Sequence, residues 1–275
     1  MKLLDFAKGL KAPIYFTSIA PVLLGWAFSH FRYSYILVML FVVTVTMQAA
    51  LNLAMDYFDH QNSRPLRNED TLFPLGSYFI EKLGVQPKYL KYSFFIMLVI
   101  SIVTGLTVVY ITRNLILLYL GLTAVFLSIL YVVPPIKLGA RGVGEIATFF
   151  SFGPFPVLGT ILALGSHVSM ESISVAIALG LLASGIRYLH HLPEDKQGGV
   201  RMRNFRIIYP VFLLASALII SPFRQLIIPA LSVFTVSLVH VVFLPKGALD
   251  ISRQTNIIVG IHALFTFLVI ILLAL

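Results

Sequence analysis

Long apolar runs recur along nearly the whole chain of 275 residues, separated by short stretches that hold the charged residues, prolines and glycines. About 20 apolar residues in a helix cross a bilayer core of about 30 Å, so runs of this length predict membrane-spanning helices. The runs of this kind are approximately 12–31, 34–58, 90–112, 114–133, 143–165, 170–191, 206–222, 225–244 and 256–275. They predict an all-α, multi-pass membrane bundle of about nine transmembrane helices. Because no long polar interval interrupts the pattern, we expect residues 1–275 to form a single domain.

The composition is that of a membrane protein. Apolar residues make up 59% of the chain and charged residues 11%, whereas a soluble domain carries about 25% charged residues. The chain has no cysteine, which excludes disulfides, thiolate metal sites and cysteine nucleophiles. The net charge of +9 does not predict a nucleic-acid partner. In so apolar a chain, an excess of Lys and Arg is typical of cytoplasmic loops held against anionic membrane lipids.

Charged residues are distributed unequally between the two sides of the predicted bundle. With the N-terminus in the cytoplasm, all of the 20 Lys and Arg residues except Arg32, Arg113 and Arg224 lie on the cytoplasmic side. This bias predicts a cytoplasmic N-terminus for a protein of the cell membrane. Of the 11 Asp and Glu residues, only Glu171 falls on the outer side, although topology rules do not require this. Carboxylates and cations gathered at one face predict a site for a metal-bound polyanion, directed toward the cytoplasm.

The first candidate motif is the segment 52–59, NLAMDYFD, at the cytoplasmic end of the second predicted span. Asn52, Asp56 and Asp59 are spaced i, i+4 and i+7, so they share one helix face. Ionisable groups at membrane depth are costly and usually face a cavity or the bundle interior. Carboxylates on one face suit Mg²⁺, which binds one or two carboxylates together with substrate phosphates and water. The alternative is a helix that simply ends in water, where Asp is common.

The second candidate motif is the segment 131–145, YVVPPIKLGARGVGE, which follows the fourth predicted span. The Pro-Pro pair ends the span, and a glycine-rich loop then brings Lys137, Arg141 and the phenol of Tyr131 close to the next helix. Cations of this kind bind diphosphate oxygens through charge-assisted hydrogen bonds. The alternative is a set of positive residues that only anchors the loop in the cytoplasm beside an interfacial tyrosine.

The third candidate motif is the segment 187–196, RYLHHLPEDK, at the end of the sixth predicted span. His190 and Glu194 are four residues apart, as are His191 and Asp195, although Pro193 interrupts the helix between them. A zinc site would use such residues, but the segment has neither an HExxH spacing nor a clear third protein ligand.

These three segments, in this order and on these spans, resemble the UbiA superfamily of intramembrane aromatic prenyltransferases, and the resemblance covers most of the chain. In that family the second span ends in an Asn-Asp-x-x-Asp type motif, the fourth ends near Tyr-x-x-Pro-Pro-x-Lys/Arg, and the sixth ends in a second acidic motif. The stretch 71–81, TLFPLGSYFIE, is similar to the loop after the first motif in the 1,4-dihydroxy-2-naphthoate prenyltransferases of menaquinone synthesis.

The resemblance implies transfer of a prenyl group from a prenyl diphosphate to an aromatic quinone precursor, with Mg²⁺ as cofactor and the long apolar tail between helices, open to lipid. It implies catalytic roles for Asp56, Asp59, Lys137 and Tyr131. It implies substrate binding by Asn52, Lys137, Arg141, Tyr131, Arg187 and His191. It implies that Asp56 and Asp59 bind one Mg²⁺ and that Glu194 and Asp195 serve a second.

The chain departs from the family pattern at three places. Met55 stands where the family commonly has Asn, Ser63 stands four residues after Asp59 where an Asp is expected, and Glu194 and Asp195 are adjacent instead of about four residues apart. A noncatalytic relative that binds lipid or quinone is therefore the main alternative function. A secondary transporter is a further alternative, but its site would lie nearer the membrane midplane and an internal repeat would be common.

Overall fold

The computed structural model describes residues 3–32, 34–67, 74–138, 143–192, 200–245 and 250–275. The predicted all-α, multi-pass bundle is confirmed. The α-helices in the described ranges are α1 (Leu3–Gly9), α2 (Tyr15–Phe28), α3 (Tyr35–Gln61), α4 (Pro87–Thr112), α5 (Leu115–Val132), α6 (Gly144–Phe152), α7 (Pro154–Ala163), α8 (Met170–His190), α9 (Val200–Ile220), α10 (Ile227–Val242) and α11 (Ile251–Ala274). Short helical turns also form at Ala12–Ile14, Tyr78–Lys82 and Arg224–Leu226.

Eight helical segments of the described chain are long and apolar enough to cross a membrane, with α6 and α7 together forming one of them. The predicted run 12–31 gives a shorter apolar helix, α2, of 14 residues. It is short because a separate 3-10 turn, Ala12–Ile14, precedes it and because the chain reverses after Phe28, where His30 and Phe31 have positive φ angles of 54° and 53°. The count of nine spans and the orientation of the N-terminus stay predictions.

Local side-chain chemistry explains where several helices begin. Ser34 and Asn114 cap α3 and α5, because each side chain accepts a hydrogen bond from the backbone N–H two residues later. Ser169 and Ser172 form a reciprocal capping box at the start of α8. At the start of α11, the Asp250 side chain accepts a hydrogen bond from the backbone N–H of Arg253. These caps satisfy backbone N–H groups that have no partner within their own helix.

The helix α8 lies at the centre of the packed core. Its buried side chains join those of α2, α7, α9, α10 and α11 in one large cluster, whereas smaller clusters join α3 to α4 and α5. Two glycines allow α8 to pack closely against the span that α6 and α7 form together. A Cβ atom on Gly180 would lie 2.6 Å from the carbonyl oxygen of Phe149, and a Cβ atom on Gly153 would lie 2.7 Å from the backbone nitrogen of Gly180. Small residues at helix contacts are the usual way in which membrane helices pack.

Candidate active site

The end of α3 carries a buried row of polar side chains that is linked by hydrogen bonds. Ser18 Oγ donates to Gln48 Oε1 at 3.0 Å, and Gln48 Nε2 donates to Asn52 Oδ1 at 3.3 Å. Asn52 Nδ2 then donates to the backbone carbonyl oxygen of Leu10 at 2.8 Å. Asn52 is 4% exposed, so this row of hydrogen bonds satisfies an amide that has little access to solvent.

Asp56 lies one turn further along α3 and is also buried. Its Oδ1 accepts a hydrogen bond from Ser77 Oγ at 2.6 Å, and its Oδ2 accepts one from the backbone N–H of Phe79 at 3.0 Å. Gly76, with a φ of 87°, makes the turn that leads into this segment. Asp56 therefore anchors the connection between α3 and α4 to the end of α3. The two hydrogen-bond donors in turn hold its carboxylate in one orientation.

Asp59, three residues later, forms ion pairs with two cations. Lys137 Nζ lies 2.8 Å from Asp59 Oδ1, and Arg64 Nε lies 3.6 Å from the same oxygen. Lys137 follows the end of α5, so this pair joins the first and second candidate motifs. The sequence analysis predicts that both residues serve one site, and the structure places them in direct contact.

Arg187 connects the second and third motifs. Its Nε donates to the hydroxyl oxygen of Tyr131 at 2.8 Å, and its Nη1 donates to Glu145 Oε1 at 2.6 Å. The backbone carbonyl oxygen of Glu145 also accepts a hydrogen bond from Ser184 Oγ at 3.0 Å. Gly144 permits this arrangement, because a Cβ atom there would overlap the guanidinium group. Arg187 is 5% exposed, and the carboxylate of Glu145 balances its charge.

Several of the side chains described above line a cavity of about 100 Å³ between α2, α3, α5, α6 and α8, which we call the polar cavity. The predicted site residues in its lining are Asn52, Tyr131, Arg187 and His191. Asp56, Asp59 and Lys137 are not part of its lining. Arg141, Glu194 and Asp195 lie outside the described residues.

The structure also brings polar residues into the polar cavity that the sequence analysis does not assign to a site. They are Lys11, Thr17, Gln48, Ser128, Thr148, Ser151 and His190. Gln48 has a local signal, because it precedes Asn52 by one helical turn and shares its face. Lys11 has no such signal, since it lies in a turn before α2 and its pattern indicates only a positive charge near the membrane surface.

A second and larger cavity, of about 290 Å³, adjoins the polar cavity and extends along α2, α3, α4, α5 and α7. We call it the apolar cavity. Gln48, Leu51, Ser128, Ser151 and Phe152 line both cavities. Most of the remaining lining is aliphatic, and the lining residues Leu106 and Leu122 are 50% and 58% exposed. The apolar cavity therefore opens between α4 and α5 toward the surface that faces lipid.

The carboxylates of this end of the bundle fit Mg²⁺ in their chemistry. Asp56 and Asp59 offer hard oxygen ligands three residues apart on one helix, and Mg²⁺ completes such a set with water and substrate phosphates. No group of three or more His, Asp or Glu side chains suited to a metal occurs in the part of the chain that the structure describes. Such a site therefore needs ligands from the substrate or from outside the described ranges.

No protein-family model matches this sequence. The chain is similar to the 1,4-dihydroxy-2-naphthoate octaprenyltransferase of Haemophilus influenzae, with 29% identity over 174 residues, which cover 62% of this chain and 55% of that protein. The chain thus spans about half the length of the curated relative it matches.

The structure is similar to two solved structures of a UbiA homologue from Archaeoglobus fulgidus. The TM-score is 0.65 for one of them and 0.68 for the other, which is bound to GPP and Mg²⁺. In each comparison the identity is 13%, and the match covers 97% of this chain and 99% of the other. This chain is accordingly a membrane helical bundle with the UbiA fold, and its resemblance to the UbiA superfamily and to the 1,4-dihydroxy-2-naphthoate prenyltransferases is confirmed.

Proposed function

We propose that residues 1–275 act as one prenyltransferase domain, which transfers a polyprenyl group from a prenyl diphosphate to an aromatic quinone precursor in the membrane and releases diphosphate. The observation that carries this proposal is the junction of the two cavities. A prenyl diphosphate has a polyanionic head and a long apolar tail, and the polar cavity adjoins an apolar one that opens toward lipid.

The polar cavity supplies the groups that a diphosphate head requires. Arg187 is held in a fixed orientation by Tyr131 and Glu145, so its guanidinium is preorganised to donate to phosphate oxygens. Lys137, which Asp59 holds at 2.8 Å, would be a second donor for the leaving diphosphate. We propose that Arg141 and His191 extend this binding surface.

Mg²⁺ would be held by Asp56 and Asp59, with a second ion served by Glu194 and Asp195. A bound Mg²⁺ supplies Lewis-acid stabilisation of the charge that develops on the diphosphate as the allylic C–O bond breaks. The fixed donors on Asp56 keep its carboxylate in one orientation, which favours metal binding. Asp59 would exchange its ion pair with Lys137 for a metal ligand role, leaving the lysine ammonium available to the diphosphate.

The similar proteins support a more specific proposal for the prenyl acceptor. One similar protein is a 1,4-dihydroxy-2-naphthoate octaprenyltransferase, and one similar structure is bound to GPP and Mg²⁺. We therefore propose 1,4-dihydroxy-2-naphthoate as the acceptor. Its electron-rich ring would meet the allylic carbon where the two cavities join, beside Ser128 and Ser151.

The noncatalytic alternative has one observation in its favour. Asp56 and Asp59 both have protein partners in this structure, and such a network also suits a protein that only binds a lipid or quinone. Diphosphate release separates the two functions. Purified protein mixed with geranylgeranyl diphosphate, 1,4-dihydroxy-2-naphthoate and Mg²⁺ is expected to release diphosphate, and omission of the acceptor is the control. Binding of the prenyl diphosphate without release would favour the noncatalytic function.

We propose that the polar cavity faces the cytoplasm of a cell membrane, because the Lys and Arg residues are concentrated at this end of the bundle. Ser63 is exposed just after α3, and the chain has no cysteine. A cysteine introduced by Ser63→Cys is therefore a unique label site. Membrane-impermeant thiol reagents should modify it only when the cytoplasmic side is open, and labelling from the outside would contradict this orientation.

A further inference from the structure

Lys11 lies outside all three sequence motifs, and yet its side chain lines the polar cavity. It occupies the turn that joins α1 to the 3-10 turn at Ala12–Ile14. Resting on the proposed function, we propose that Lys11 binds the diphosphate of the prenyl donor and that Asn52 positions it for this role. This assigns Asn52 to the support of a neighbouring cation in place of direct contact with substrate.

The backbone of Lys11 is held in an unusual conformation. Its φ of 56° and ψ of 43° lie in the left-handed region, which non-glycine residues seldom adopt and which costs free energy. Two backbone hydrogen bonds define the turn: Lys11 N–H donates to Lys8 O at 2.9 Å, and Ile14 N–H donates to Lys11 O at 2.9 Å. A lysine in this conformation indicates that the surrounding structure determines where its side chain goes.

Asn52, on α3, holds this turn in place through a hydrogen bond. Its Nδ2 donates at 2.8 Å to the carbonyl oxygen of Leu10, the residue directly before Lys11. Its Oδ1 accepts from Gln48 Nε2 at 3.3 Å, and Gln48 in turn accepts from Ser18. The amide of Asn52 therefore has protein partners on both its nitrogen and its oxygen. It holds the turn, and through the turn it directs Lys11 toward the cavity.

The charges in the lining of the polar cavity support a role for Lys11 in binding an anion. Arg187 is the other cation in the described lining, and its charge is balanced by Glu145 at 2.6 Å. Lys11 has no ion pair within 4.0 Å with a described residue, although the Asp56 carboxylate is close enough to interact with it electrostatically. Lys11 thus contributes a cation to the wall of the polar cavity formed by the turn before α2, and Arg187 on α8 contributes a cation to another wall. A diphosphate between these walls receives charge-assisted hydrogen bonds from both sides.

Binding of geranylgeranyl diphosphate with Mg²⁺ to the purified full chain tests this proposal. Lys11→Gln should weaken binding by at least about tenfold, because it removes a hydrogen bond to a charged group. Its KM for the donor should rise far more than its kcat falls, and its thermal stability should match the parent. Lys11→Arg should restore most of the affinity. Lys91→Gln, at an exposed position at the start of α4, is the matched control and should bind like the parent.

A double-mutant cycle tests the positioning role of Asn52. Asn52→Ala should weaken donor binding, but it should add little to the loss caused by Lys11→Gln, because both changes remove the same interaction. Parent-like affinity in Lys11→Gln would overturn the assignment of Lys11, and additive losses in the double variant would overturn the role of Asn52. Failure of the parent protein to bind the donor would instead overturn the proposed function, and this inference with it.

Discussion

The two sides of the bundle differ in how tightly their helices pack. The helix α8 lies at the centre of the large core cluster, and 78% of the residues in its most apolar stretch of 18 are buried inside the protein. In α4 and in α5, only 17% of the residues in the most apolar stretch of this length are buried. We call α2 and α7–α11 the packed half and α3–α5 the open half. The packed half fixes helix positions, while the open half leaves the space that forms most of the apolar cavity. Most of the core and most of the apolar cavity thus belong to different helices, while α8 contributes both to the core and, through Arg187, to the polar cavity.

Glycines show the same contrast. In the packed half a Cβ atom on Gly180 would collide with backbone, while in the open half a Cβ atom on Gly121, in the lining of the apolar cavity, would have no heavy atom within 4 Å. The first kind of glycine permits contact between helices, and the second kind leaves room for a ligand. Substitutions at these positions can therefore separate the two halves experimentally.

The largest effect on stability is expected where the packed half meets the polar cavity. Arg187→Met removes the guanidinium that pairs with the buried carboxylate of Glu145 and should cost about 3–5 kcal/mol in the free energy of unfolding. The double variant Arg187→Met/Glu145→Leu should recover most of this loss, because both charges of the pair are then removed together. Denaturant unfolding in detergent micelles measures both. Equal losses in the single and double variants would show that the ion pair is not the cause.

A smaller loss is expected from overpacking inside the packed half. Gly180→Ala places a methyl group 2.6 Å from the carbonyl oxygen of Phe149, and should cost about 1–3 kcal/mol because backbone on both sides must move. Gly260→Ala on α11 is the control, since a Cβ atom there meets no heavy atom within 4 Å. The same unfolding assay compares them. Parent-like stability of Gly180→Ala would contradict the close backbone contact between α6 and α8.

The smallest effect on stability is expected in the open half, where function should change instead. Gly121→Leu, on α5, fills part of the apolar cavity and should leave the free energy of unfolding within about 0.5 kcal/mol of the parent. Its affinity for geranylgeranyl diphosphate should fall by about tenfold relative to its affinity for dimethylallyl diphosphate, because the longer tail needs the filled space. Gly260→Leu, outside the cavity, should bind both donors like the parent. Equal losses for the two donors in Gly121→Leu would argue against a tail in this cavity.

The apolar pattern predicts most of the fold because helix length in a membrane is set by the bilayer. The predicted runs 34–58 and 114–133 correspond to α3 and α5, with ends that differ by a few residues. The pattern misses the interruption at Gly153, since glycine and proline are tolerated inside membrane helices and periodicity does not reveal the break. It also overestimates the length of α2, because the reversal after Phe28 depends on two non-glycine residues with positive φ.

The sequence predicts those residues of the site that lie near the ends of the spans, but it does not predict their long-range contacts. Asn52, Tyr131, Arg187 and His191 lie near the ends of three helices at one face, and the structure places all of them around the polar cavity. Several partners of these residues are far away in sequence, and motif spacing does not reveal which residues pair. Arg187 pairs with Glu145 across 42 positions, and Asn52 reaches the carbonyl oxygen of Leu10 across 42 positions. These contacts arise from tertiary packing, which periodicity and motif spacing do not encode.

The central claim is that the carboxylates at the end of α3 serve a prenyl transfer reaction. Mass spectrometry of the product made by purified protein from geranylgeranyl diphosphate, 1,4-dihydroxy-2-naphthoate and Mg²⁺ tests it most directly. The parent protein should form a prenylated 1,4-naphthalenediol in which the prenyl group replaces a ring proton or, with loss of CO₂, the ring carboxyl group, and removal of Mg²⁺ with a chelator should stop the reaction. Asp56→Ala and Asp59→Ala should each remain folded in detergent, by thermal unfolding, and form no product. Near-parental product formation by either folded variant would contradict the assigned role of these carboxylates.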